Sequence, residues 1–236
     1  MDPLLISAAS GMKARMDSLD MLANNIANSA TAGFKSDREF HTLFDQELPE
    51  VERQWTDFSQ GTLTPTGNSL DLALSGKGLF ALNSPGGTVY TRNGSFRISK
   101  TNELETADAY TIRNVRDKGR PINVDPQQSI DIGKDGVVRQ GGQEIGQIEI
   151  ASPNSAPLDL GKLGNSYYAL ANTAGPMGKA TDTEIQQGKL EQSNVPVAET
   201  AVRLITVMRQ FEMLQKAVTL DSEMSKRAIE DVARVS

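Results

Sequence analysis

Residues 193–218 read SNVPVAETAVRLITVMRQFEMLQKAV, and this stretch decides the fold. Ser193-Asn194 supplies a capping side chain, and Pro196 stands where a first helical turn tolerates a missing N–H. Val197, Ala201, Leu204, Met208 and Phe211 then recur at alternating spacings of four and three, the period of an apolar helix seam. The stripe drifts on through Leu214, Ala217, Val218, Met224 and Ala228, so one helix is expected to about Arg234. Glu199–Arg203, Glu212–Lys216, Glu223–Arg227 and Glu230–Arg234 each set an acid four residues before a base, the order that supports a solvated helix. Such a rod extends roughly 55–60 Å, farther than one face of a small body covers, so part of its apolar side needs another partner.

Working outward, glycine divides the chain. Two glycines lie in 1–60 (Gly11 and Gly33), eighteen in 61–188 and none after Gly188. The middle is therefore read as short strands joined by turns, and the ends as helical. Near the N-terminus Leu5, Ala9, Met12, Met16, Leu19, Ala23 and Ile26 repeat the 4-3 seam, widened by Leu22. Packing of this stripe on its own domain and pairing with a second helix are both compatible with the pattern. Asn24, Asn25 and Asn28 crowd the expected helix end, where they serve either as terminators or as amide donors and acceptors across an interface; Gly33 is the expected left-handed cap. The expected fold class is α+β: long terminal helices pairing as a coiled coil, around a central antiparallel β-rich domain of barrel or sandwich type. The expected boundaries are an N-terminal helix segment 1–35, an extended linker 36–60 with anchoring aromatics Phe40, Phe44, Trp55 and Phe58, a body 61–188 and a C-terminal helix segment 189–236.

Within the body, Val89–Arg92, Asn93-Gly94 and Ser95–Ile98 form a strong hairpin signal, because a two-residue type I′ turn needs positive φ at both positions. Asp135-Gly136 between Ile130–Ile132 and Val137-Val138 signals a second hairpin. Leu70, Leu72 and Leu74 alternate, and Leu79, Phe80 and Leu82 follow Gly76-Lys77-Gly78. That Gly-Lys-Gly and Gly86-Gly87 lack the complete spacing of a phosphate loop and lead into no helix, so they read as turn glycines.

Composition narrows function. The 236 residues hold no cysteine and one histidine, His41, which removes thiolate chemistry, disulfides and a His-based metal cage; no cofactor or metal is expected. Lys+Arg 24 against Asp+Glu 30 gives −6, the wrong sign for a general nucleic-acid or anionic-membrane binder, and no apolar run is long enough to insert in a membrane. Each end segment is charge-balanced, three acids against three bases in 1–35 and seven against seven in 189–236. Asp71 and Asp131 would make an acid/base pair only if folding joined them. No catalytic residue is assigned and no small-molecule substrate is expected. Neither a basic leader nor an uninterrupted apolar h-region opens the chain, so export without a cleavable signal peptide is expected if it leaves the cytoplasm.

Three blocks then carry a resemblance. Ala23-Asn24-Asn25-Ile26-Ala27-Asn28 with Thr31-Ala32-Gly33-Phe34-Lys35 resembles the N-terminal signature of bacterial flagellar rod and hook proteins. Gly61-Thr62-Leu63, Thr66–Ala73, Gly76–Phe80 and Tyr90–Phe96 look like the family's central signature, and Gly188–Val195 with Arg209-Gln210-Phe211-Glu212 like its C-terminal one. Chain length and Phe211-Glu212-Met213 resemble the proximal type of rod subunit more than the distal type. Lys100–Glu105 departs from the family's usual turn, and Ala107–Tyr110 lacks an expected glycine.

The resemblance implies a structural subunit of the periplasmic drive shaft in the flagellar basal body. Its implied partners are other rod subunits in a helical assembly and the flagellar type III export apparatus. On that reading the assembly interface comprises Leu5, Met12, Met16, Leu19, Ala23, Asn24, Asn25, Ile26 and Asn28, with Val197, Ala201, Leu204, Met208, Phe211, Leu214 and Val218. A β-rich carbohydrate-acting enzyme and a generic coiled-coil adaptor are the readings from other classes; neither accounts for the three ordered blocks.

Overall fold

The computed structural model describes residues 3–41, 51–152, 160–164, 166–170, 177–180 and 182–235. The side chains of Leu5, Phe40, His41 and Ala228, and residues Leu43 and Phe44, lie outside the described set. The chain forms two compact units. One comprises Met1–Ala27, Asp37–Trp55 and Val195–Ser236; the other comprises Asn28–Ser36 and Thr56–Asn194.

In the first unit, helix α1 (Pro3–Ala27) packs on helix α2 (Val197–Val235). Their contact closes on Met21, Leu22 and Val207, flanked by Leu19 and Leu204. Farther along, a Cβ on Gly11 would stand 3.5 Å from Leu214 Cδ1. The first half of α1 therefore meets the middle of α2 and its second half an earlier part, so the two run antiparallel. Strands β1 (Asp37–His41) and β2 (Val51–Thr56) pair as a two-stranded sheet within the segment expected to be an extended linker. Arg38 stacks its guanidinium 5.9 Å from the Trp55 ring centre.

Both helix ends differ in detail from expectation. Pro196 precedes α2, and its carbonyl accepts from Thr200 N and Thr200 Oγ1, both at 2.9 Å. The Asn194 side chain is engaged elsewhere, as described below. Gly33 does adopt φ +68, but it lies beyond the turns that end α1 and serves a close backbone approach instead: a Cβ there would sit 2.3 Å from Asn93 N.

The second unit is built from short strands in chain order: β3 (Leu63–Pro65), β4 (Leu72–Ser75), β5 (Leu79–Ser84), β6 (Gly87–Thr91), β7 (Arg97–Ile98), β8 (Leu104–Glu105) and β9 (Thr111–Ile112). These are followed by β10 (Ile130–Ile132), β11 (Val137–Gln140), β12 (Gln143–Gln147), β13 (Ile150–Ser152), β14 (Leu160–Gly164), β15 (Tyr167–Leu170), β16 (Gly178–Lys179), β17 (Glu184–Gln187) and β18 (Lys189–Glu191). Every recorded register in this unit is antiparallel. The largest sheet runs β14-β15-β6-β5-β9-β8-β7, with β13 joining β5 and β16. A three-stranded meander β10-β11-β12 and the pairs β17-β4 and β18-β3 complete it. The α+β class stands, but among the described residues no sheet closes into a barrel.

Strand β5 organises the core. Leu79, Phe80, Ala81 and Leu82 are all buried, because the strand has apolar clusters on both faces. Phe80 and Leu82 join Leu72, Leu74, Phe96, Leu104 and Ile112; Leu79 and Ala81 join Tyr90, Leu160 and Tyr168. The Phe80 and Phe96 rings meet edge to face at 5.2 Å, and Phe58 meets Tyr168 at 5.0 Å. Phe58 is thus an anchoring aromatic, as its position suggested.

The hairpin expected across Asn93-Gly94 does not form. Neither residue has positive φ, β6 pairs with β5 and β15, and β7 pairs with β8. Gly94 is needed for another reason: a Cβ there would lie 1.6 Å from Leu72 O, whose own N–H donates to Gly94 O at 2.9 Å. The tight turns fall at Pro85-Gly86, between Ser84 and its partner Gly87, and at Gly141-Gly142, where φ is +55 and +80. The Asp135-Gly136 hairpin forms as expected, with Ile132 opposite Val138 and Gly136 at φ +81.

Candidate functional site: a buried charge cluster and two helix faces

Lys35, Arg92 and Glu191 each lie in a different one of the three signature blocks, and the second unit brings them together. Their side chains are 1%, 2% and 0% exposed respectively. Lys35 Nζ donates to Glu191 Oε1 at 2.7 Å and to Ser59 O at 2.5 Å. Arg92 Nε donates to Glu191 Oε2 at 2.5 Å, Nη2 to Leu74 O at 2.9 Å and Nη1 to Gly78 O. Gly61 N completes the carboxylate's shell at 2.8 Å.

Two cations share one carboxylate; the Ser59 carbonyl takes a second donor of Lys35, and the Leu74 and Gly78 carbonyls take two more of Arg92. Burial pushes the Lys35 ammonium below its ordinary pKa, and the Glu191 carboxylate opposes that shift.

The backbone around the cluster is stitched in the same way. Gly33 N donates to Glu191 O at 2.7 Å, and Gln192 N to Thr62 O at 2.8 Å. Asn194 Oδ1 accepts from Ser36 N at 2.8 Å, while its Nδ2 donates to Asp57 O at 2.8 Å and Ser59 O at 3.1 Å. Glycine is obligatory at Gly61, where a Cβ would sit 2.1 Å from Gln192 O. Residues 33–36, which follow α1, and 191–194, which precede α2, are thereby bound side by side.

The helices present a different chemistry. The covered face of α1 is Gly11, Ala14, Ser18, Met21, Leu22 and Asn25. The sequence seam lies to one side of it: Met12, Leu19 and Ile26 are half-buried, and Ala9, Met16 and Ala23 are exposed. Asn25 is buried, with Nδ2 donating to Asp37 O at 2.8 Å and Oδ1 accepting from Asp37 N at 2.9 Å. Asn24 is exposed, and Asn28 Oδ1 accepts from Thr31 Oγ1 at 3.3 Å.

On α2, Ala201, Leu204, Phe211, Leu214 and Val218 flank buried Val207 on the covered side, whereas Val197 and Met208 are exposed. A second apolar stripe points away: Val202 is 66% exposed, Ile205 51%, Met213 62%, Leu220 59% and Met224 67%. Arg203, expected opposite Glu199, reaches Glu39 at 3.6 Å.

Asp71 is buried against the Asn68 side chain at 3.2 Å, and Asp131 is exposed on β10. A cavity of about 320 Å³ is lined by Arg113, Lys118, Glu149, Met177 and Lys179, and its Arg113 is held by Glu149 and Asn83, each at 3.0 Å. Among the described residues no three metal-ligating side chains gather, and no helix is long and apolar enough to cross a membrane.

Comparisons with known proteins converge. Residues 5–35 match the family described as flagella basal body rod protein, 73–140 the flagellar hook protein FlgE/F/G D1 domain, and 186–231 the flagellar basal body rod FlgEFG protein C-terminal family. The chain is 32% identical to the flagellar basal-body rod protein FlgF of Caulobacter vibrioides over 232 aligned positions, covering 92% of this chain and 93% of that one. FlgF of Mesorhizobium japonicum is 30% identical with both chains fully covered. FlgG of Bacillus subtilis is 31% identical over 261 positions, covering 95% and 97%.

Proposed function

This chain belongs to the flagellar basal-body rod protein family, and from that premise we propose that its terminal helices are the assembling elements of a rod subunit of the proximal type. It is a structural subunit of the basal-body rod, not an enzyme, and its place is the flagellar basal body. The proximal assignment is supported by the compact alignment with FlgF of Caulobacter vibrioides, 232 positions against the 261 needed for FlgG of Bacillus subtilis.

The observation that carries the assembly reading is the double-faced α2. One stripe covers α1 of the same chain, while Val202, Ile205, Met213, Leu220 and Met224 remain open over a helix roughly 58 Å long. Neighbouring subunits cover that stripe and the Met12, Met16, Leu19 and Ala23 side of α1. The contacts are heterologous, so repetition generates a helical rod rather than a closed dimer. Within each subunit α1 and α2 pair as a coiled coil. Segments 1–35 and 189–236 act as the axial parts, 36–60 as the connecting segment and 61–188 as the outer body. Torque passes along the helices from motor to hook. Delivery through the flagellar export apparatus and a position spanning the periplasm belong to the same proposal.

Circular dichroism combined with light scattering on the full chain, across increasing concentration and with its neighbouring rod subunits added, tests the reading. Helix content and mass should rise together. A compact, fully helical monomer under every condition would contradict it.

A further inference from the structure

We infer that Glu191 is a closing latch: carried by the late strand β18, it supplies the carboxylate that buried Lys35 and Arg92 require, and so holds the segments adjoining both helices in assembly-ready geometry only once the end of the body has docked. The inference rests on the reading of the helices as the assembling elements.

Without Glu191 each cation keeps only neutral hydrogen-bond partners. Arg92 retains Leu74 O and Gly78 O, and Lys35 retains Ser59 O. Two positive charges would then share a buried site without the carboxylate that bonds both of them, leaving only the weaker pull of Asp57 on Lys35, an arrangement far less favourable than the complete cluster. The pairing strand offers little insurance, since β18 and β3 meet over three residues, Lys189–Pro65 to Glu191–Leu63. Around it, the bonds from Gly33 N to Glu191 O, from Gly61 N to Glu191 Oε1 and from Ser36 N to Asn194 Oδ1 all depend on 191–194 being seated. The two ion pairs span 156 and 99 residues of chain, so neither forms until nearly all of the body is present.

The test is amide hydrogen exchange on the full chain, for wild type, Glu191→Gln and Lys35→Met. Glu191→Gln keeps the shape but removes the charge; Lys35→Met leaves Arg92 and Glu191 as a balanced pair. The latch predicts that Glu191→Gln speeds exchange at Gly33, Ser36, Gly61 and Gln192 by about 100-fold or more, while Gly133 and Ile148 in the distal meander keep wild-type rates. Lys35→Met should retain most of the protection at Gly33 and Gln192. Unchanged rates at the four amides in Glu191→Gln would overturn the inference, as would uniform acceleration that includes Gly133 and Ile148.

Rod polymerisation is scored in parallel. Normal polymerisation by a Glu191→Gln chain with opened 33–36 and 191–194 segments would also overturn the latch. Failure of the wild type to polymerise would count against the assembly reading alone, because the exchange pattern is measured on the single chain.

Discussion

Met213→Lys with Leu220→Lys separates the two faces of α2. These side chains are 62% and 59% exposed in the single chain, and lysine is a good helix former, so the monomer should change by less than about 0.5 kcal/mol. Burial against a neighbour is a different matter. Fully covering such a side chain contributes about 1.5–3 kcal/mol, so covering the roughly 60% that is open contributes about 1–2 kcal/mol each. The pair therefore stands for about 2–4 kcal/mol per subunit contact, or roughly 30- to 700-fold in the critical concentration for polymerisation. The assay is sedimentation of the polymer across a concentration series, with thermal melting of the unassembled chain as the control. A variant that polymerises at the wild-type critical concentration would refute the claim that this stripe is an intersubunit face. A variant whose monomer melts many degrees lower would show that the stripe is covered within the chain.

Other expectations follow from the interior. Gly94→Ala places a methyl group on Leu72 O and should destabilise the second unit by more than about 3 kcal/mol, read by chemical denaturation. Asn25→Ala removes the side chain that bonds both the N–H and the carbonyl of Asp37 at a buried site; a loss of about 2–4 kcal/mol is expected, with the Asp37 amide exchanging faster. The Tyr167 phenol, pushed by burial up to about 12 and bonded to Asp108 Oδ2 at 2.8 Å, ionises later in the folded chain than in the unfolded one. Its contribution to stability is therefore complete below pH 10 and declines as pH rises from there toward 12. Tyr167→Phe should remove that part of the alkaline decline, as measured by denaturant midpoints on either side of the window.

The glycine partition made the plan of helices and β-rich body legible from residues alone; Leu79, Phe80 and Leu82 were in view after Gly76-Lys77-Gly78, but that both faces of their strand are buried emerges only from the fold. What failed was what local patterning does not encode. Asn93-Gly94 carries a strong turn signal, yet its glycine answers to Leu72, distant in sequence. The covered face of α1 escaped notice because much of it is Gly11, Ala14, Ser18 and Asn25, small or polar residues that allow close approach and add little to an apolar stripe. Lys35, Arg92 and Glu191 were each in view inside a signature block, but no periodicity joins charges so far apart along the chain.

That long span has a consequence for how the protein family can vary. With positions 35 and 191 tied, everything between them is one closed loop of chain whose ends are already pinned. Lengthening it at an exposed turn such as Gly141-Gly142 adds only about 0.6 kcal/mol of closure entropy per doubling. The body between them is thus free to be remodelled, enlarged or decorated over evolutionary time, while residues 33–36 and 191–194 stay bound side by side.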